Sequence, residues 1–396
     1  MMPKQSNRIA VAALVFAVSL PLHAEWRVTP SIAAGIQTDD NATMSPDSDF
    51  ATSLEGYALE LDSNFQYRGQ LTTLSIIPRL RFERYDDESA FDTNDEFLRI
   101  NLDRDGQRSK IRFRGIISNE SIREGEDGNV DFDIEDPIDI PTDSTGTSFS
   151  TSDRLRTKLT PQWSYRIGER SNIGLNLTYL KVDYKDDSLS ELRDFDEIKY
   201  TGQYSYDLTL RDAVGLQAYY RSNDFDAAGR DISGSGAGVT YERTVSEKTR
   251  LQFLVGVDST ESEDGEDQSN PVGQLSLTHR LETGRILASY RRTVNGTGNG
   301  VVSQRDQIDI SGSRDLSERT SFGLGVRFYS LEAIDGNVAN FDEQDYLQFR
   351  AQIAWRLKRY LTLELNYRHT RLDRLSFVTE ADSNRFGLWL RYAPEL

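Results

Sequence analysis

The closing stretch Arg385–Leu396, RFGLWLRYAPEL, decides the fold. Phe386, Leu388, Leu390 and Tyr392 fall on one side of an extended chain and Gly387, Trp389 and Arg391 on the other, the period-two pattern of a strand with one apolar face. The same alternation recurs back to the N-terminus, in segments separated alternately by short polar turns and longer acidic loops. Leu347, Phe349, Ala351, Ile353 and Trp355 oppose Gln348, Arg350, Gln352, Ala354 and Arg356, and Leu361, Leu363, Leu365 and Tyr367 oppose Thr362, Glu364, Asn366 and Arg368. A two-sheet sandwich gives this alternation in any single strand. A closed barrel with hydrocarbon outside and water inside requires it in nearly all of them.

The start of the chain supports the barrel. Lys4 and Arg8, the apolar stretch 9–20 and Leu22-His23-Ala24 before Glu25 make a secretory signal peptide over residues 1–24, the alternative being a buried N-terminal helix. Later apolar runs stop well short of the roughly 20 residues of a helical membrane span. A mean hydropathy of -0.58 is compatible with a barrel, because only alternate residues face lipid. Removal of residues 1–24 takes away two cations and no acid, so the remaining 372 residues carry 44 basic and 64 acidic side chains, a net charge of -20. That balance excludes a nucleic-acid partner, since phosphate binding needs concentrated positive charge. The absence of Cys excludes disulfides, thiolate metal sites and a lipidated cysteine anchor. No linker divides residues 25–396, which read as a single outer-membrane β-barrel domain.

The alternation predicts 18 strands: 26–36, 54–68, 71–85, 95–103, 109–117, 153–167, 172–184, 194–206, 213–220, 231–244, 249–258, 272–279, 285–293, 304–313, 320–329, 346–356, 360–370 and 384–392. Between them lie nine longer loops and eight tight turns. An even number puts both termini at one rim, expected to be periplasmic, with the acidic loops outside. A central proline loses a ladder hydrogen bond, so Pro78 predicts a local bulge. Trp26, Tyr67, Tyr85, Tyr184, Tyr220, Tyr290, Tyr329, Trp355 and Tyr392 are candidates for interfacial aromatic girdles.

The polar faces carry the candidate site. Arg79, Arg81, Arg112, Arg114, Arg350, Glu364 and Arg368 are expected to line the lumen, together with Arg99, Arg327, Arg356 and Arg391. Neighbouring arginines in a narrow pore favour anions; the alternative, with Glu60, Asp62 and Glu83 interspersed, is a salt-bridge lattice that stiffens the barrel, and weak ion selectivity is the expectation. The loop 120–150 holds ten acids against one Arg. Its Glu124, Glu126, Asp127, Asp131, Asp133, Glu135 and Asp136 either constrict the pore or form a solvated face. Asp131 and Asp133 are the calcium candidates there, although the twelve-residue calcium-loop order is incomplete. After the signal only His279 and His369 remain, and neither belongs to a metal-ligand cluster or nucleophile set, so the expectation is a non-enzyme without cofactor. The alternatives are an outer-membrane hydrolase and a closed structural or recognition barrel.

Ser31–Ala42, SIAAGIQTDDNA, with Trp26 upstream and the acidic-Asn end Asp39-Asp40-Asn41, resembles the opening strand of outer-membrane β-barrel porins, one branch of which accompanies exopolysaccharide biosynthesis and export. The resemblance implies a monomeric barrel in the bacterial outer membrane. It also implies contact with lipid, lipopolysaccharide and the barrel-assembly machinery, and passage of polysaccharide or small solutes. Insertion signals of this class end in Phe or Trp, whereas the last residue here is Leu396.

Overall fold

The computed structural model of the chain describes residues 25–86, 88–122, 152–185, 192–226, 231–262, 268–297, 301–334, 343–374 and 380–394. They form 18 antiparallel strands: β1 Glu25–Asp39, β2 Leu54–Arg68, β3 Thr72–Tyr85, β4 Thr93–Asp105, β5 Ser109–Ser121, β6 Asp153–Arg166, β7 Ser171–Tyr184, β8 Phe195–Asp207, β9 Asp212–Phe225, β10 Ile232–Ser246, β11 Thr249–Ser262, β12 Gln268–Leu281, β13 Gly284–Gly296, β14 Val302–Asp315, β15 Thr320–Ala333, β16 Gln344–Lys358, β17 Leu361–Arg374 and β18 Ala381–Tyr392. Each pairs with the next, and β18 pairs with β1, so the sheet closes on itself. Turns of two to four residues join the strands at one end of the wall, and longer connections join them at the other.

Closure settles the problem that backbone N–H and C=O groups would otherwise meet hydrocarbon unpaired. A strand of 12 to 15 residues rises about 3.3 Å per residue, and at a tilt of about 40° it more than covers a 25 Å apolar band. The surplus lies at the loop end. There the ladders run past the strands predicted from alternation, to Phe225, Ser262, Gly296, Ala333 and Arg374. Above the band the outer face becomes polar and the alternation fades, while backbone pairing continues.

Ile32, Ile36, Leu388, Leu390, Leu365, Ile353, Val326, Ile310 and Leu277 are exposed on the outer face, and the alternate positions face inward. Trp26, Trp355, Tyr360 and Tyr392 stand outward near the turn end, with Tyr360 and Tyr392 edge-to-face at 5.5 Å. Tyr57, Tyr200, Tyr220 and Tyr290 stand outward nearer the loop end. Tyr67 packs beneath Trp26, ring centroids 5.4 Å apart. Three of the expected girdle residues, Tyr85, Tyr184 and Tyr329, are instead buried on the inner face. Their strand parity is the reason: each is in phase with the polar face of its own strand.

Pro78 makes no bulge. The β2–β3 register is the same on either side of it (Asp62↔Arg79, Phe65↔Ile76), with two pairs missing between, while Pro78 keeps its partner Leu98 on β4. Pro161 repeats the device between β6 and β7. A residue in an antiparallel strand bonds toward one neighbour only, so the missing N–H opens one ladder and spares the other. The register shifts lie elsewhere, at Thr244/Ser246 and Arg356/Lys358, beside two-residue turns.

The lipid-facing assignment predicts that Leu388→Arg destabilises the protein in phospholipid vesicles by about 2–4 kcal/mol. Equilibrium unfolding in urea reads this directly, and an unchanged midpoint would place Leu388 away from hydrocarbon.

Candidate functional site

The inner face is an ion-pair lattice whose densest part bridges the seam between β18 and β1. The β1–β18 register runs only from Ile32↔Tyr392 to Asp39↔Arg385, about half of the β1–β2 ladder. Side chains reinforce this short ladder. Arg391 of β18 reaches over β1 to Glu60 at 3.2 Å and Asp62 at 3.2 Å on β2, and back to Glu364 of β17 at 3.0 Å. Glu60 also accepts from Arg79 at 2.5 Å. Higher in the wall, buried Glu83 of β3 accepts from Arg81 at 2.8 Å, from the Tyr85 hydroxyl at 2.8 Å and from Arg385 of β18 at 3.0 Å. Arg385 and Tyr85 are joined again through Gln37, which accepts from the first at 2.9 Å and donates to the second at 2.9 Å.

Between these groups the Trp389 indole lies over Ala33 and Ala58, with the Arg81 guanidinium 5.3 Å from its ring. Small residues on β1 make this possible. A Cβ on Gly35 would sit 2.5 Å from the indole, closer than any real contact. The sequence SIAAGIQ therefore supplies an apolar outer face and, on the inner face, a bed for a tryptophan of the last strand, seventeen strands away in chain order but adjacent through closure.

The expected lumen residues are held in the same lattice. Arg114 makes a two-pronged bond to Asp103 at 2.9 and 3.0 Å, and the more exposed Arg112 lies 3.6 Å from the same carboxylate. Arg350 and Arg368 are register partners across β16 and β17. Arg327 donates to Asp309 at 2.9 Å. The Arg114–Asp103 and Arg327–Asp309 pairs set a cation beside an anion along the wall, whereas Arg350 and Arg368 set two cations in register. Of the acidic stretch, Glu120 pairs with Arg154 at 2.9 Å; Glu124, Glu126, Asp127, Asp131, Asp133, Glu135 and Asp136 lie outside the described residues. His279 is 2.8 Å from the Thr249 hydroxyl and His369 3.1 Å from Asn384.

A second centre, absent from the sequence reading, lies at the loop end around Arg221. Arg221 and Asp258 are fully buried on the inner faces of β9 and β11, 3.4 Å apart, and Asp258 also accepts from Tyr219 at 2.6 Å and Thr260 at 2.7 Å. The intervening strand β10 is crossed where it carries Gly236, whose added Cβ would meet the Tyr219 ring at 2.4 Å. Arg221 further donates to the carbonyl of Val294 on β13, which is not its neighbour in the wall. Access across the mouth arises because β12 and β13 separate beyond Gly273↔Arg292, while β13 stays paired with β14 to Gly296↔Val302. This free-running tip packs Val294 and Val302 into one buried cluster with Val182, Phe195, Phe225 and Ile232 of β7 to β10. On the other side Met44, in the β1–β2 connection with a left-handed φ of 46°, packs among Tyr329, Leu331, Tyr346 and Leu372. The loop-end mouth is thus narrowed from two sides by apolar contacts. Arg221 escaped sequence reading because alternation ends at Tyr220; the signal available was Tyr219-x-Arg221 in inward phase opposite the glycines of β10.

Loss of one partner from a buried ion pair leaves an uncompensated charge. Glu83→Gln is accordingly expected to cost about 3–5 kcal/mol, and Glu83→Gln with Arg385→Gln less than the sum of the single losses. Urea unfolding in vesicles tests both; strictly additive losses would show that the two groups do not act together.

No family model matches the chain, and none of the curated proteins matches it by sequence. Among solved structures it is similar to a BenF-like porin from Pseudomonas fluorescens Pf-5 (7% identity, TM-score 0.48, covering 94% of this chain and 99% of that one). It is also similar to Pseudomonas aeruginosa OpdQ (11% identity, TM-score 0.46, 94% and 98%) and to Acinetobacter baumannii OccAB1 (10% identity, TM-score 0.44, 94% and 97%).

Proposed function

We propose that this chain is a channel of the bacterial outer membrane through which hydrophilic solutes pass passively. The observation that carries the reading is one wall with two solvents: an edge-free outer face of exposed apolar side chains and an inner face of ion pairs, in a barrel of 18 strands. Closed barrels of this size leave an aqueous interior. The short turns and both termini lie on the periplasmic side, and the loops face outward. Lipid and lipopolysaccharide surround a monomer delivered by the barrel-assembly machinery. The solute leaves unaltered, and neither ATP nor a redox cofactor takes part. Because lumenal cations alternate with carboxylates, the pore discriminates weakly between small cations and anions. Polysaccharide passage is the finer form of this reading, drawn from the resemblance of Ser31–Ala42; small hydrophilic solutes are its coarser form.

A closed structural barrel is the second reading, favoured by the apolar cluster that joins β13 and β14 to β7–β10 at the loop end. Conductance separates the two. In planar bilayers the purified protein is expected to give stepwise current with a reversal potential near zero under a KCl gradient, and Arg221→Ala, which releases the Val294 carbonyl, to raise the unit current. Silence of both proteins would establish the closed barrel, and strong cation preference would remove the arginines from the conducting path.

A further inference from the structure

The turn-end mouth differs from the rest of the lumen in one respect. A cavity of about 310 Å³ lies between the β4–β5 turn and the inner faces of β6, β7 and β8. Its volume is at the lower end of the range for small-molecule sites. Arg108, Lys110 and Arg166 line it together with the amide side chains of Asn172 and Gln203, and no carboxylate lines it. Elsewhere on the inner face Arg79, Arg114 and Arg327 each meet a carboxylate within 3.0 Å, as Arg79–Glu60, Arg114–Asp103 and Arg327–Asp309, and Arg112 and Arg221 have one within 3.6 Å. Here neither Arg108 nor Arg166 pairs with a carboxylate among the described residues. Lys110 has Asp105 at 3.7 Å, with both side chains more than half exposed, a pairing worth little.

The three cations are also held near one another by the fold. The backbone N–H of Arg166 donates to the Arg108 carbonyl at 2.8 Å, which fixes the β4–β5 turn against the end of β6. Lys110 follows two residues after Arg108, on the inner face of β5. All three side chains are exposed, so water screens their mutual repulsion, and an anion entering the space between them lowers it further. Guanidinium groups present paired donors that match carboxylate and phosphate oxygens, and amide side chains add neutral donors without adding competing negative charge.

We infer that this cavity binds a small, multiply charged oxyanion, a solute bearing carboxylate or phosphate groups. The inference deepens the channel reading, on which its use in transport rests, by naming the solute class. Binding itself is measurable without current.

The test is isothermal titration of the full chain in detergent with citrate and, separately, inorganic phosphate, each in a background of NaCl. Saturable binding of one of them at one site per chain is expected, and which of the two binds more tightly assigns the carboxylate or the phosphate class. The double variant Arg108→Gln/Arg166→Gln is expected to bind about tenfold more weakly or worse, while Arg319→Gln, in the β14–β15 turn outside the cavity, binds as the parent does. Heat-dependent gel mobility confirms that each variant is a closed barrel. Absence of saturable binding to both anions, or equal affinity in the parent and the double variant, overturns the site. Bilayer recordings on the same preparations keep the two ideas apart. Current without anion binding overturns the site alone, and binding without current overturns the channel while leaving the site standing.

Discussion

Pairing of β1 with β18 is the constraint from which the rest follows. A sheet with two edges cannot stand in hydrocarbon, because each unpaired peptide group costs several kcal/mol there. Once the last strand is bonded to the first, alternate residues have no choice but to divide between lipid and lumen. The outer face then becomes apolar and the inner face is left to carry charge. Every arginine on the inner face consequently needs either a carboxylate or water, and the spacing of Glu60, Asp62, Glu83, Asp103 and Asp309 supplies the carboxylates.

The inner lattice is organised by reach as well as by register. Neighbouring strands lie only about 4.8 Å apart, so a long side chain can pass over one strand and bond to the next. Arg391 does so over β1 and Arg221 over β10, and both crossings require small residues beneath them. This explains why Ala33 and Gly35 of β1 and Gly234, Gly236 and Gly238 of β10 sit on the inner face although neither strand turns there. It also gives the two ends of the barrel different characters. The loop end is narrowed by apolar clusters and a buried arginine, whereas the turn end keeps a cation-lined cavity.

Strand number, order and facing were legible from period-two alternation, because Leu388 and Arg391, or Leu365 and Glu364, can occupy only opposite faces once the chain is extended. Strand ends were not legible. Beyond Tyr220 and Asp258 the outer face is polar, so the pattern stops while the ladder continues to Phe225 and Ser262. That difference hid Arg221 from the candidate lining. Aromatic character alone also misplaced Tyr85, Tyr184 and Tyr329, for which parity was the better guide. Which carboxylate each arginine meets depends on strand tilt and on closure, and neither is written in local sequence: Arg391 meets Glu60 and Asp62 from the far end of the chain.

That last distance has a kinetic meaning. Arg385 and Glu83 are separated by 302 residues and Arg391 and Glu60 by 331, so these bonds have nearly the greatest sequence separation the chain allows. Contacts of such separation form only after a large loss of chain entropy. No intermediate lacking β18 can contain them, and Glu60, Asp62 and Glu83 gain these partners only after fifteen further strands, β4 to β18, are in place. The seam lattice is therefore completed only once the last strand has met the first.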